Sequence, residues 1–268
     1  MSTSTWAPET RRRSTSRAVV ALAGPLVALA ILAFVALRTA EGQRIDERAM
    51  DAVVAGRETR LTVLSLLGYV SIGTIVAVTI GCVGLAMLRG RMRLALGAIA
   101  VIVGANVTTQ VLKHGLLERA EITDVANNSL PSGHTTVVAA GVGALCLVAP
   151  RLLRPVVVFG GAFAVTLTGA STVVAGWHRP SDVLAAVLVA LAWTAAVALV
   201  IGGDQESGPG VWPSALLGAA GSILLLVAIG VRPSFGWDGF VEAAVVLTVV
   251  AAVSAVGAAL MDRFSPTD

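Results

Sequence analysis

The chain has 268 residues, of which 56% are hydrophobic and 13% charged, and its net charge is +3. This composition excludes an ordinary soluble globular protein, and the charges form no basic stripe interleaved with aromatic residues, which argues against nucleic-acid binding. The two cysteines, Cys82 and Cys146, fall inside apolar runs, so the sequence predicts neither a disulfide framework nor a thiolate metal site.

Eight apolar runs follow one another along the chain, and each can cross about 30 Å of hydrocarbon as a helix. They cover 18–37, 61–87, 94–112, 133–149, 155–175, 183–201, 211–231 and 240–261. The first run is longer than the apolar stretch of a signal peptide and is predicted to remain as a helix.

Three parts are predicted along the chain. Residues 1–17 are expected to form a disordered cytoplasmic tail, 18–201 a six-helix membrane core, and 202–268 an appended helical pair with a short tail. The loop before the pair, 202–210, is rich in glycine. The predicted fold class is therefore an all-α, polytopic membrane helical bundle.

Charges in the loops predict the orientation of the chain. With the amino terminus in the cytoplasm, nine arginines fall on the cytoplasmic side: Arg11, Arg12, Arg13, Arg17, Arg89, Arg91, Arg93, Arg151 and Arg154. The segments 113–132 and 176–182 then face the extracytoplasmic side. The outer loop 38–60 mixes charges of both signs with apolar residues, and it is interpreted as either a surface helix at the lipid boundary or a solvated linker.

A first polar cluster closes the third run. Asn106, Gln110 and Lys113 are spaced to lie on one face of that helix. Such a face indicates either a water-filled or ligand-filled cavity, or an interhelical hydrogen-bond seam with a snorkelling lysine. Arg119 supplies a planar guanidinium suited to phosphate oxygens, so Lys113 and Arg119 together indicate an anion site.

A second cluster opens the fourth run. Pro131 and Ser132 are typical of a loop end and a helix N-cap. The same helix terminus offers unpaired N–H groups and a positive dipole end to an anion. Gly133 permits close backbone approach and Ser132 adds a hydroxyl donor, which would place His134 beside a bound phosphate.

A third cluster lies between the fifth and sixth runs. His178 and Asp182 are four residues apart, so on one helical turn the carboxylate can accept a hydrogen bond from one imidazole nitrogen and leave the other free to attack phosphorus. The alternative is an interfacial histidine beside Trp177, with Asp182 capping the helix. All three histidines of the chain fall in these clusters, which favours a reactive site.

Together the clusters resemble the signature of the type 2 phosphatidic acid phosphatase superfamily, which also contains bacterial acid phosphatases and vanadium haloperoxidases. That signature reads Lys, six residues, Arg-Pro; then Pro-Ser-Gly-His; then Ser-Arg, five residues, His, three residues, Asp. Residues 131–134 match the second part, and Ser171, His178 and Asp182 match the third. The resemblance spans residues 100–200.

Two departures from the signature affect cationic positions. Five residues separate Lys113 from Arg119, with Ala120 in place of proline, and Thr172 stands where the family has an arginine. Losing one charge-assisted contact to the phosphoryl group could cost a few kcal/mol of transition-state stabilisation unless another cation compensates.

The resemblance implies a role for each matching residue. His178 would attack phosphorus, Asp182 would orient it, and His134 would protonate the leaving oxygen. The phosphate ligands would be Lys113, Arg119, Ser132 and Gly133. Auxiliary candidates are Arg179, His114 and Ser171. Family members of this kind use no metal, and no cofactor is expected.

The function predicted on this basis is an integral membrane phosphatase of the cell (plasma) membrane, with its site on the extracytoplasmic side. Its substrate would be a lipid phosphomonoester or diphosphate, such as a polyprenyl diphosphate, a phosphatidic acid or a phosphatidylglycerol phosphate. Three alternatives are a phosphotransferase whose acceptor site involves residues 121–130, a non-catalytic phospholipid-binding protein, and a transporter. The sequence indicates no oligomeric state.

Overall fold

A computed structural model describes residues 7–53, 57–68, 72–122, 127–202, 207–231 and 239–266. Within these ranges the chain forms ten α-helices and no strand. The helices are α1 (Ala7–Arg38), α2 (Ala40–Val53), α3 (Arg57–Gly68), α4 (Ile72–Leu88), α5 (Met92–Val111), α6 (Gly133–Val148), α7 (Arg154–Val174), α8 (Pro180–Ile201), α9 (Val211–Ala228) and α10 (Phe240–Arg263). A π-helical turn, Leu112–Leu116, continues α5, and a 3-10 turn, Arg151–Leu153, precedes α7.

Helices able to cross a membrane dominate this fold. Among the described residues, six segments are long and apolar enough: Val20–Arg38, Met92–Leu116, Arg151–Val174, Pro180–Ile201, Val211–Ala228 and Phe240–Arg263. Two apolar helices are shorter, Gly73–Leu88 and Gly133–Val148. Large apolar side chains such as Phe34 and Leu224 are exposed, as on a lipid-facing surface. The predicted all-α, multi-pass membrane bundle is confirmed.

One stretch of the amino-terminal part differs from the prediction. The first helix begins at Ala7, so residues 7–17 are helical and not a disordered tail; arginine is a good helix former, and a proline fits the first helical turn. Residues 1–6 lie outside the described residues. Of the run predicted over 61–87, the structure describes α3 up to Gly68 and α4 from Ile72, and residues 69–71 lie outside the described residues.

The charged loop 38–60 forms α2 and the start of α3, so the helical interpretation of this loop is the one observed. The inward face of α2 carries polar side chains in addition to the apolar Val53. Gln43 is fully buried and Asp46 is 6% exposed, whereas Ile45 is 57% exposed. Buried polar side chains need hydrogen-bond partners, and those of α2 lie at the candidate active site.

Small residues let the central helices pack closely. The short helix α6 contacts α4, α5, α7, α8 and α10, while α9 packs chiefly on α7. A Cβ atom on Gly104 would lie 2.6 Å from the Trp193 ring, and one on Gly218 would overlap the carbonyl oxygen of Phe159. Helix pairs in membranes commonly approach through such residues. The division of the chain at 202–210 stays a prediction.

A buried ion pair joins α7 to α10 at the end of the bundle where α6 finishes. Arg154 is 1% exposed, its Nε lies 3.8 Å from Asp262 Oδ1, and its guanidinium also donates to the carbonyl of Pro266. Arg154 therefore differs from the solvated loop arginine that the charge pattern suggested. Nearby, Arg89 donates to the carbonyl of Val148 at 2.7 Å.

Candidate active site

The three polar clusters meet at one end of the bundle, where α5 and α7 finish and α6 and α8 begin. The Ser132 N–H donates to the carbonyl of Asp182 at 2.9 Å, which joins the second cluster to the third. The Asn128 side chain donates to the carbonyl of Lys113 at 3.3 Å, which joins the first cluster to the loop before α6. The residues that the sequence singled out thus share one region.

At the centre of this region is a buried histidine–carboxylate pair. His178 Nδ1 lies 3.0 Å from Asp182 Oδ2, and the two residues are 7% and 2% exposed. The same oxygen accepts the Arg179 N–H at 2.9 Å and the Ser129 hydroxyl at 2.5 Å. Because a carboxylate accepts, this contact assigns the proton to Nδ1 and leaves Nε2 as the free imidazole nitrogen.

A tight turn after α7 delivers His178 to this contact. The backbone N–H groups of Trp177 and His178 both donate to the carbonyl of Thr172, at 3.0 and 3.2 Å. Gly176 has a φ of 73°, in the left-handed region that residues with a Cβ adopt only at a cost. The glycine therefore lets the chain reverse within a few residues of the helix end.

The amino terminus of α6 provides hydrogen-bond donors. Ser132 is the N-cap, as predicted, and its Oγ accepts the N–H of Thr135 at 3.4 Å and the Thr135 hydroxyl at 3.0 Å. These bonds occupy Ser132 as an acceptor and leave its own O–H to donate. The nearest atom to a Cβ added on Gly133 would be Gln110 Nε2, 4.0 Å away, so the backbone at Gly133 is open to a ligand.

His134 lies between the second and third clusters. Its ring is tilted by 40° against the indole of Trp177, with ring centroids 5.7 Å apart. Lys113 and His178 are both close enough for their charges to act on the His134 imidazole. The structure therefore places His134 near two other predicted site residues, Lys113 and His178.

The polar face predicted on the third apolar run is divided. Asn106 turns back to its own helix and donates to the carbonyl of Ile102 at 2.8 Å, whereas Gln110 reaches towards Gly133. The exposed His114 contacts the carbonyl of Gln110 through Nδ1 at 3.2 Å. The π-helical turn that carries Lys113 and His114 shifts them relative to an α-helix, and such turns often occur at functional sites.

Arg119 is buried between the first two helices. Its Nη1 donates to the carbonyl of Ala36 at 3.3 Å, and its Nη2 forms a 2.8 Å ion pair with Glu47. The sequence predicted Arg119 as a phosphate ligand, and the structure commits two of its nitrogen atoms to acceptors within the protein. Ala120, which follows it, is held to α1 by a hydrogen bond from its N–H to the carbonyl of Leu37.

Arg179 stands beside the position where the family arginine is missing. Thr172 is fully buried, and its hydroxyl donates to the carbonyl of Gly169 at 2.8 Å. Arg179 is 5% exposed, and its Nη1 donates to Ser129 Oγ at 3.1 Å and to the carbonyl of Asn127 at 3.4 Å.

Two buried polar atoms here have no acceptor or donor in the part of the chain that the structure describes, namely Arg179 Nε and Ser171 Oγ. A buried guanidinium N–H without an acceptor is costly, so it indicates a place for an anion.

Four residues of the site were missed by sequence reasoning: Gln43, Asp46, Glu47 and Ser129. Asp46 accepts the Ser181 N–H at 3.0 Å and also accepts the Ser181 hydroxyl. Burial raises the pKa of Asp46 to about 6, against hydrogen bonds from Ser181 that lower it. A signal was present, because residues 43, 46 and 47 lie on one face of a helix, but nothing in the sequence shows that this polar face points inward.

Asn128, considered above as part of an acceptor site within 121–130, holds the loop in place. Its side-chain amide donates to the carbonyl of Leu117 at 2.7 Å, and its Oδ1 accepts the Leu130 N–H at 3.1 Å. Residues 123–126 lie outside the described residues. Among the described residues, no group of three or more His, Cys, Asp or Glu side chains is arranged to hold a metal ion.

Comparison with known proteins bears on this same region. A family model described as the PAP2 superfamily matches residues 94–206. The matched segment covers most of α5 and all of α6, α7 and α8, and so includes the three polar clusters. No curated protein and no solved structure matches the chain.

Proposed function

On the basis of the PAP2 superfamily match over residues 94–206, we propose that the chain is a member of this family and a membrane lipid phosphatase that acts through a phosphohistidine. The match supports a phosphatase activity. The observation that carries the proposal is the buried pair of His178 and Asp182 beside the open amino terminus of α6. A histidine held in one tautomer next to helix N–H donors suits attack on phosphorus.

The proposed reaction has two steps. His178 Nε2 attacks phosphorus, the bond to the leaving oxygen breaks, and His134 gives that oxygen a proton. Asp182 stabilises the imidazolium that forms, since it accepts from Nδ1 at 3.0 Å. Water then attacks the phosphohistidine and loses its proton to His134, which releases inorganic phosphate and restores both histidines.

The phosphoryl oxygens would be bound by the donors around this pair. We assign this role to the Ser132 hydroxyl, the Gly133 N–H, Lys113 and Arg179. Arg179 would take the place of the arginine that Thr172 replaces, because its buried Nε still lacks an acceptor among the described residues. Arg119, the remaining predicted phosphate ligand, donates to Glu47 and to the carbonyl of Ala36, so we assign it no direct contact with the phosphate.

An apolar cavity next to the site supports a lipid substrate. It has a volume of about 510 Å³, and its lining side chains come from α4, α5, α6 and α7. Val137 and Val138 line it within about one helical turn of His134. A phosphate at the site could therefore keep its hydrocarbon tail in the bilayer. We propose hydrolysis without a metal, at the extracytoplasmic face of the plasma membrane.

The test is phosphate release by the purified protein in detergent with metals chelated. The substrates would be a polyprenyl diphosphate, a phosphatidic acid and a phosphatidylglycerol phosphate. We expect His178→Ala to abolish release and His134→Ala to slow it by about 10²- to 10⁴-fold, as for loss of a general acid. Arg93→Ala is the control, since Arg93 is exposed in the first turn of α5 and has no role in the proposed site, and it should retain activity.

One result would count against hydrolysis. A folded wild-type protein that releases no phosphate from any of the lipids would overturn it. If that protein nevertheless accumulates a phosphohistidine, the second step must use an alcohol acceptor in place of water, which defines a phosphotransferase.

A further inference from the structure

Helix α2 sends three side chains towards the candidate active site. Gln43 Nε2 donates to the carbonyl of Ala120 at 2.8 Å and to that of Leu37 at 3.0 Å. Glu47 forms the 2.8 Å ion pair with Arg119. One helix outside the segment matched by the family model therefore holds the end of the first polar cluster.

The third of these side chains, Asp46, reaches the start of α8. Its two carboxylate oxygens accept the N–H and the hydroxyl of Ser181, which is 135 residues away in the chain. Ser181 lies in the first helical turn, immediately before Asp182. A carboxylate at this position satisfies an N–H that has no partner within the helix and interacts favourably with the helix dipole.

The first turn of α8 is thus held from two sides. Asp46 binds Ser181, while the carbonyl of the next residue, Asp182, accepts the N–H of Ser132 at 2.9 Å. Between these two anchors lies the carboxylate that contacts His178. Burying Asp46 is costly, and a buried ionisable group that is fully hydrogen-bonded commonly fixes one arrangement of the chain.

We propose that Asp46 is a positioning residue for catalysis, which fixes the first turn of α8 so that Asp182 keeps its contact with His178 Nδ1. The proposal rests on the phosphatase function proposed above and deepens it. Asp46 itself touches neither the substrate nor the reacting atoms. Without it, the first turn of α8 would loosen, and the orientation of the His178 ring would be lost with it.

The test compares Asp46→Ala and Asp46→Asn with the control Glu41→Gln. Glu41 is an exposed carboxylate of the same helix, so the control repeats the loss of charge without the contact. The Asp46→Asn variant would keep one acceptor oxygen for Ser181, whereas the Asp46→Ala variant would keep none. Phosphate release, measured against both pH and substrate concentration, separates kcat from KM.

For Asp46→Ala we expect kcat to fall about 10- to 100-fold with KM within about twofold, as for a misplaced catalytic group. The pH profile of kcat should also change, because a displaced Asp182 no longer orients the His178 imidazole. Asp46→Asn should restore most of kcat, and Glu41→Gln should match the wild type.

A second measurement does not depend on turnover. The chain has only three histidines, so ¹⁵N-histidine NMR of the full-length protein in detergent can resolve each imidazole. The hydrogen-bonded Nδ1–H signal of His178 should be shifted or lost in Asp46→Ala and kept in Asp46→Asn and Glu41→Gln. The signals of His114 should not change in any variant.

The outcomes separate the two proposals. If the His178 signal changes as expected while no lipid is hydrolysed even by the wild type, the positioning role stands and the phosphatase function fails. If Asp46→Ala keeps the His178 signal and the wild-type pH profile, the positioning role is overturned, whether or not kcat falls. A fall in kcat that follows only a lower melting temperature would mean a purely structural contact.

Discussion

Arg179 is the buried cation that we propose takes the place of the arginine missing from the third cluster. The position of the family arginine is occupied by Thr172, whose hydroxyl bonds to its own helix. Arg179 follows His178 directly and is bonded through Nη1 to Ser129, which itself donates to Asp182. The guanidinium is therefore fixed next to the nucleophile, with a donor still available for a phosphate oxygen.

Replacing Arg179 should impair the chemical step more than folding. We expect Arg179→Ala to lower kcat/KM for phosphate release about 100-fold, in line with loss of a charge-assisted contact in the transition state. Arg179→Lys should recover part of this, since it restores the charge without the planar fork. Arg93→Ala, which replaces an exposed arginine in the first turn of α5, serves as the control. Equal activity of Arg179→Ala and this control would contradict the assignment.

Because Asp46 is buried and titratable, we expect the stability of the folded protein to depend on pH. Its pKa is raised from 3.8 to about 6, mainly by burial and further by Asp182, while Arg179 and the Ser181 hydrogen bonds oppose the rise. The fold therefore favours the protonated form. Protonated Asp46 stabilises the folded protein, and this stabilisation is complete below pH 3.8. It is lost as the pH rises through about 6, which lowers the free energy of unfolding by about 3 kcal/mol at most.

Melting temperatures in detergent, compared between wild type and Asp46→Asn from pH 4 to pH 7, would check this. The advantage of the wild type over the variant should shrink as the pH rises, because asparagine does not titrate. A difference that stays constant, or that grows with pH, would contradict the raised pKa.

At the scale of elements, the helices of the site could be predicted from hydropathy and those around it only in part. The runs at 94–112, 133–149, 155–175 and 183–201 correspond to α5, α6, α7 and α8, because each is a continuous apolar stretch bounded by polar residues. The His178–Asp182 contact followed from the four-residue spacing at a helix start. Local sequence patterns were enough for these features.

Features that depend on tertiary contacts could not be predicted in this way. The sequence of α2 mixes charged and apolar residues, and its pattern did not indicate that Gln43 and Asp46 would be buried. Their partners, Ala120 and Ser181, come from distant parts of the chain. The hydrogen bonds that offset the cost of burying Gln43 and Asp46 therefore cannot be predicted from the local sequence. The partners of Arg119 were hidden for the same reason.

At the scale of the whole molecule, an ion pair at the opposite end of the bundle ties the last helix to the region of the family match. Arg154 and Asp262 are both buried, and neither residue is part of the candidate active site. Breaking a buried pair leaves an uncompensated charge, which costs more than losing the attraction alone.

We expect Asp262→Asn to destabilise the protein by about 3–5 kcal/mol, seen as a lower melting temperature in detergent. Glu242→Gln is the matched control, because it makes the same chemical change at an exposed position of α10. The remaining folded fraction should keep the kcat of the wild type. An unchanged melting temperature would show that α10 is held by its apolar contacts alone.

The contact between Asp46 and Ser181 also has a consequence for biosynthesis. A polypeptide is made from its amino terminus, so α2 leaves the ribosome long before α8, which begins 134 residues after Asp46 at Pro180. Until then the Asp46 carboxylate has no Ser181 to bind, and the His178–Asp182 pair does not exist. A nascent chain that stops short of α8 is therefore inert, and activity appears only once that helix has been inserted and docked.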